Sequence, residues 1–323
     1  MQSAMKPKST LKVFTTLTLL AIVAYSVSFD KLWATLASIS ISTALMVIAG
    51  YSIGQLLSSY KWWTIARRGG IDVSYWVALK AYFIGMFVNC FGSGLGTVGG
   101  DVARGLLLAQ GLPKKTEGVA AVVADRVHGL TILSIIAITT SQLFAGERVP
   151  VWMILTLLAL VFGFISAWII GPWLLSHLPA SNRFTNKMSQ VAAIFPRDMR
   201  TIVIISALSA IFHCTQILLH SVMASGVGAE IPLATLFVVI PLVNIASSLP
   251  ISWNGLGVRE NSYIFFLTAA PSLVSKEQAA AFGALWLLAV TVTSAVGGIV
   301  AAISGDLRLL KPQRKEIAKA ADC

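Results

Sequence analysis

The sequence predicts an all-α polytopic membrane protein with about six full transmembrane helices and two broken, re-entrant helical hairpins in an inverted repeat. Three observations carry this. The chain is 56% hydrophobic and 11% charged, with a mean hydropathy of +0.81. Its apolar residues lie in long charge-free stretches, most of them beyond the roughly 20 residues a helix needs to cross a bilayer. Two of those regions also carry glycine clusters and ionisable groups where a plain span would have neither.

Taken in order, stretch 13–29, "VFTTLTLLAIVAYSVSF", follows Lys6, Lys8 and Lys12. Its apolar core is longer than a typical secretory leader's, so it reads as an uncleaved first span. Stretch 32–60 is the second. Stretch 81–100 belongs to the first awkward region, residues 73–115. Stretches 127–146 and 149–182 are spans, and about 179–200 is the longest polar connection, too short for a soluble domain. Stretch 201–229 is a further span. Residues 231–276 form the second awkward region, and 278–305 the last span. The whole of 1–323 reads as one integral membrane domain.

Basic residues set the expected topology. Segments 1–12, 61–72, 101–117, 177–200 and 305–323 hold 18 of the 24 Lys and Arg residues; the opposite set holds only Lys31, Arg148 and Lys276. The positive-inside rule therefore places both termini in the cytoplasm of a multi-pass cytoplasmic (inner) membrane protein. The net charge of +11 fits anionic lipid at that surface, and gives no reason to invoke nucleic acid.

With that topology, 73–115 must leave and return to the cytoplasmic side, although it contains Gly92, Gly94, Gly96, Gly99, Gly100, Asp101 and Arg104. Residues 231–276 must leave and return to the outer side, around "SLPISWNGLGVRENSYIFF". Broken helices at membrane depth are tolerated only when buried in protein or lining a wet cavity. In each region a glycine-rich break leads through an arginine, Arg104 or Arg259, into an apolar helix and then a full span. Residues 73–146 and 231–305 thus read as two repeats of opposite orientation, an architecture in which the site lies at the repeat interface.

The motifs "GGDVAR" (99–104), "ADRVHGL" (124–130) and "LPISWNGLGVRE" (249–260), in this order, resemble the flippase-like membrane family, which includes the transmembrane region of lysylphosphatidylglycerol synthetases. The resemblance covers about residues 10–308. It implies a polytopic inner-membrane fold with re-entrant segments and a role in moving or handling lipids or lipid-linked head groups. The bifunctional synthetases carry a soluble aminoacyl-transferase domain that this sequence lacks, so only the transport half is expected to carry over.

The expected substrate-binding residues are Arg104 and Arg259, whose guanidinium forks suit a phosphate, with Gly99, Gly100, Asn254, Gly255 and Gly257 at two helix starts that offer unpaired N–H groups. The first start is expected near Gly100 and the second near Val258. Asp101, Asp125, Arg126, His128 and Glu260 complete a charge network. Each ionisable group would cost roughly 2.5–3.5 kcal/mol at the centre of a lone span, which argues for mutual pairing or a polar cavity. Asp125 with Arg259 and Arg126 with Glu260 is one pairing that satisfies them. Loosening of this balanced network, or protonation of an acid, would free an arginine for phosphate and gives a route to proton coupling.

Plainer readings stand beside these. Asp101 serves equally well as an N-cap, the glycines as packing surfaces, and the charges as a structural lock. Arg104 and Glu117 also suit a cytoplasmic interface with Lys114 and Lys115. His213 and His220, seven apart on one face, read as interhelical hydrogen-bonding groups, and Trp62, Trp63, Trp152 and Trp173 as an interfacial belt. The three cysteines show no pairing or zinc spacing. "GLGTVG" (94–99) matches a dinucleotide fingerprint but follows no strand. No cofactor or metal site is expected, and no catalytic residues are assigned, because none of the usual hydrolase, kinase or glycosyl-transfer signatures is present.

The leading expectation is a flippase or secondary transporter for an anionic lipid, either a phospholipid or a polyprenyl-phosphate-linked head group. The alternatives are a membrane scaffold subunit partnering a cell-envelope lipid enzyme, and an integral enzyme acting on a lipid phosphate through Asp101, Asp125 or His128.

Overall fold

The computed structural model describes residues 7–92, 96–145, 150–177, 183–269 and 274–306; Gly94, in the first glycine cluster, lies outside them. Among these residues are twelve α-helices and no strand. Five are long and apolar enough to cross a membrane: α3 (Ile41–Arg68), α6 (Lys115–Thr140), α7 (Val151–Ser176), α9 (Met199–Gly226) and α12 (Lys276–Ile303). A sixth span forms if α1 (Pro7–Ser26) and α2 (Phe29–Ser38), bent by 91° at their junction, are taken together. The protein is an all-α polytopic membrane fold. On α7 the residues Leu155, Leu158, Phe162, Ile169 and Trp173 are exposed, the surface a lipid-facing helix presents.

Both awkward regions are broken helical hairpins. In the first, α4 (Tyr75–Phe91) packs against α5 (Gly96–Leu108). In the second, α10 (Leu233–Ser248) connects through a 3-10 turn at Trp253–Gly255 to α11 (Val258–Ala269). That turn also touches α4 and α5, so the two helix pairs meet there.

Four local expectations change. Stretch 32–60 is not one span: α2 ends at Ser38, Ile39 is extended, and Ser40 caps α3 by accepting from the Thr43 N–H at 3.1 Å. Downstream, α3 runs on to Arg68, which draws Lys61 and Trp62 out of the expected loop 61–72 and into the interior. The connection near 179–200 contains a helix of its own, α8 (Arg183–Ile194). Trp62 is fully buried and belongs to no belt, whereas Trp152 and Trp173 are exposed.

Apolar burial drives little association between helices already in lipid, so close packing and interhelical hydrogen bonds hold them together. The Gly118 carbonyl lies against Gly105, and the Phe83 carbonyl against Gly297. Two apolar clusters result. One joins α3, α9, α10, α11 and α12 around Val47, Ile240, Tyr263 and Phe282; the other joins α3 to α6 around Trp62, Ile65, Ile84 and Leu108. Met86 packs against both. At the start of α12 the Gln278 N–H donates to Ser275 Oγ (3.1 Å) and the Ser275 N–H donates to Gln278 Oε1 (2.9 Å). Replacing Ser275 with Ala removes half of this box and is expected to cost about 1 kcal/mol, read as a lower melting midpoint in detergent.

Candidate functional site

Along α3, residues Tyr51, Gln55, Ser58 and Lys61 recur at helical spacing and turn a polar face inward. This face forms one wall of a cavity of about 260 Å³. The other walls come from both hairpins and from α6, α9 and α12. Arg104, Arg259, Asp101, Asp125, Arg126 and Asn254 all line it, although they come from three separate motifs.

Five charged side chains form an unbroken alternation of cations and carboxylates. Lys61 Nζ lies 3.0 Å from Asp125 Oδ1 and donates to the Asp125 backbone carbonyl at 3.3 Å. Asp125 Oδ2 accepts from Arg104 Nη2 at 3.3 Å, and Arg104 Nε is 3.3 Å from Asp101 Oδ1. Asp101 Oδ2 accepts from Arg126 Nε at 2.9 Å, with Arg126 Nη2 at 2.8 Å. The Arg104 guanidinium is also held over the rings of Trp62 and Tyr82, 5.0 and 4.9 Å from their centroids. Lys61, Asp125 and Arg104 are all buried, so the pairing offsets a large desolvation cost.

Arg259 stands apart from this chain. Its Nη2 donates to Ser247 Oγ at 3.3 Å, its Nε is buried without a hydrogen-bond partner, and among the described residues no carboxylate pairs with it. Among the described residues, the charges lining the cavity therefore number four cations against two carboxylates, a surplus of two positive charges.

The pairing differs from the one expected. Asp125 meets Lys61 and Arg104 instead of Arg259, because α3 carries Lys61 into the interior. Arg126 meets Asp101 instead of Glu260, because Glu260 is the third residue of α11 and accepts from the Gly257 N–H at 2.6 Å to cap that helix. Its Cγ rests against Gly283 of α12, and Glu260 does not line the cavity. The network is thus not balanced. His128 also lies outside it: Nε2 shares a hydrogen bond with Ser206 Oγ at 3.1 Å, and the ring packs on Trp168.

The glycines act differently from free anion cradles. The first helix starts at Gly96, not near Gly100, so Gly99, Gly100 and Asp101 lie inside α5 and Asp101 is not its N-cap. The Gly100 N–H already donates to Asn89 Oδ1 at 2.7 Å, and a Cβ there would run into the Gly85 carbonyl. Gly99 does not line the cavity. At the second break Asn254, Gly255 and Gly257 have φ of 50°, 74° and 80°, and this left-handed run turns the chain. Asn254 faces the cavity; Gly255 and Gly257 do not line it. The same break is held by α1: the Trp253 N–H donates to Thr16 Oγ1 at 2.9 Å, Asn261 Nδ2 donates to the Leu19 carbonyl at 2.8 Å, and Gly257 packs on Leu19.

His213 Nε2 donates to the Gly129 carbonyl of α6 at 3.0 Å, and His220 Nε2 bonds Tyr263 Oη of α11 at 2.7 Å, the interhelical role expected of both. The charged residue of the site that sequence reasoning missed is Lys61. Its signal was the spacing of Tyr51, Gln55, Ser58 and Lys61, obscured by its position at the edge of a charge-free stretch.

No curated protein matches the chain. The model of one protein family, described as the lysylphosphatidylglycerol synthase TM region, matches residues 9–298, most of the sequence. The chain therefore belongs to the family of lysylphosphatidylglycerol synthase transmembrane regions.

Proposed function

We propose that the protein is a flippase that carries the head group of an anionic lipid between leaflets of the cytoplasmic membrane, with both termini on the cytoplasmic side. The observation that carries this reading is the surplus of two positive charges in the cavity, with Arg259 free of any carboxylate partner among the described residues. An arginine fork binds phosphate in two places, and it does so best where water is scarce. The cavity's about 260 Å³ gives room for a head group and not for two acyl chains, which would stay in the lipid as the head group passes.

Two helix pairs that meet at the second pair's break support an inverted-repeat mechanism, in which one repeat rocks against the other around a fixed site. Arg104 is engaged by Asp101, Asp125 and two rings, so it reaches an anion only by exchange with a carboxylate. Arg259 is then the first contact. Family membership supports a lipid-handling role. The enzyme reading is weakened by geometry, since both cavity carboxylates are already in ion pairs and His128 is outside the cavity.

Leaflet-resolved movement of acyl-labelled phosphatidylglycerol in vesicles containing the purified protein tests the proposal. Wild type is expected to move lipid without changing its mass, and Arg259→Ala to slow movement by roughly tenfold or more, the scale of one lost charge-assisted contact. A changed lipid mass would make the protein an enzyme. Inert wild type would favour the scaffold, and undiminished movement by Arg259→Ala would sink the assigned site.

A further inference from the structure

The four cations that line the cavity are not equally open to it. Resting on the flippase reading above, we propose that Arg126 is the second arm of the phosphate site beside Arg259. Asp101 is then a resident anion that occupies Arg126 until a lipid phosphate takes its place.

Exposure separates the candidates. The side chains of Lys61 and Arg104 are 5% and 7% exposed, and both are tied to the buried Asp125. The Arg126 side chain is 39% exposed and that of its partner Asp101 is 19% exposed. Withdrawing one partner from a buried ion pair is costly, whereas a part-exposed pair contributes little and opens readily. An anion entering the cavity therefore reaches Arg126 before Arg104, and the pair that yields to it is Asp101 with Arg126.

The geometry of that pair suits an exchange. Arg126 Nε and Nη2 both point at one oxygen, Asp101 Oδ2, at 2.9 and 2.8 Å. This edge of a guanidinium can hold two phosphate oxygens side by side, so a phosphate that takes both nitrogens makes the better contact. Displacement does not strand the carboxylate. Asp101 Oδ1 stays 3.3 Å from Arg104 Nε, three residues on along α5. One anion leaves Arg126 and another replaces it, and no proton has to move.

The exchange also changes what Arg126 joins. Asp101 and Arg126 stand on α5 and α6, both within residues 73–146, whereas Arg259 stands on α11, within 231–305. The resident pair stays inside the first of these halves. A phosphate held by Arg126 and Arg259 spans both, so bound lipid ties the halves together. When Asp101 returns to Arg126 it favours release, and a carrier needs such a competitor because a site that holds its cargo too firmly does not let it go.

The test is the saturation of lipid movement by acyl-labelled phosphatidylglycerol, with the purified full-length protein in phosphatidylcholine vesicles. Asp101→Asn keeps the size of the side chain and removes its charge. It is expected to lower the half-saturating phosphatidylglycerol fraction by roughly two- to fivefold, the scale of one lost part-exposed ion pair, and to lower the maximal rate by slowing release. Asp101→Glu retains the competitor and should stay near wild type in both. Arg126→Gln is expected to raise the half-saturating fraction by roughly tenfold or more, the scale of one lost charge-assisted contact. A purely structural Asp101 would give slower movement without tighter saturation in Asp101→Asn, and that result overturns the inference while the flippase reading stands. The same follows if Arg126→Gln saturates as wild type does, and this variant decides alone if Asp101→Asn does not fold. If wild type moves no phosphatidylglycerol, the flippase reading fails and takes this inference with it.

Discussion

Replacing Asp125 with Ala is expected to destabilise the protein by about 3–5 kcal/mol, the largest effect of any single change at the cavity. Among the described residues, Asp125 is the carboxylate that touches both buried cations, Lys61 at 3.0 Å and Arg104 at 3.3 Å. Its removal leaves an ammonium without a counter-charge in a site from which water is largely excluded, and leaves Arg104 with Asp101 alone. The loss should appear as a sharply lower melting midpoint in detergent and poor recovery of monodisperse protein. Lys61→Met on the Asp125→Ala background removes the stranded ammonium and is expected to restore part of the stability. If the double variant is no more stable than the single one, the Lys61–Asp125 pair is not what holds α3 to α6.

The second large effect is expected at Gly100. A Cβ there falls on the Gly85 carbonyl oxygen and the Asn89 side chain, and backbone cannot give way as a flexible side chain does. Gly100→Ala should force α5 away from α4 at a cost of about 1–3 kcal/mol. Asp101 and Arg104 would move with it, so lipid movement should fall along with stability. Gly163 on α7 provides the control, because a Cβ there meets nothing within 4 Å. Gly163→Ala is expected to be neutral or mildly stabilising, since alanine is the better helix former. Equal melting midpoints for the two variants would refute close packing as the reason for a glycine at 100.

That contrast shows which parts of the site were legible in the sequence. Charge-free stretches located the long helices and "SWNGLG" located the second break, because both signals depend on composition over many residues, whereas most of "GLGTVGG" lies inside α5, which starts at Gly96. Arg104, Arg259, Asp101, Asp125, Arg126 and Asn254 could be singled out because polar groups are expensive in hydrocarbon. Their partners could not be read, since pairing depends on where helices cross. Lys61 lay at the edge of an apolar stretch, where a topology count treats it as a loop charge; only the length of α3 places it inside. Glu260 was assigned to the network by cost alone, yet its position three residues after Gly257 is that of a helix-capping acid. Gly100 was read as a cradle for a ligand, and the nearby carbonyl of Gly85 shows it is a seat for another helix.

The hold of α1 on the second break limits how the protein can be shortened for study. Thr16 and Leu19 accept hydrogen bonds from Trp253 and Asn261, and Leu19 fills the space against Gly257. A version beginning after residue 26 would take Thr16 from the Trp253 N–H and leave Asn261 Nδ2 with the Gly257 carbonyl alone, 2.7 Å away, a loss that counts where water is scarce. The turn that presents Asn254 to the cavity would lose its outer support. Supplying residues 7–26 as a separate peptide should rebuild that contact in trans, which makes the protein a candidate for reassembly from two fragments.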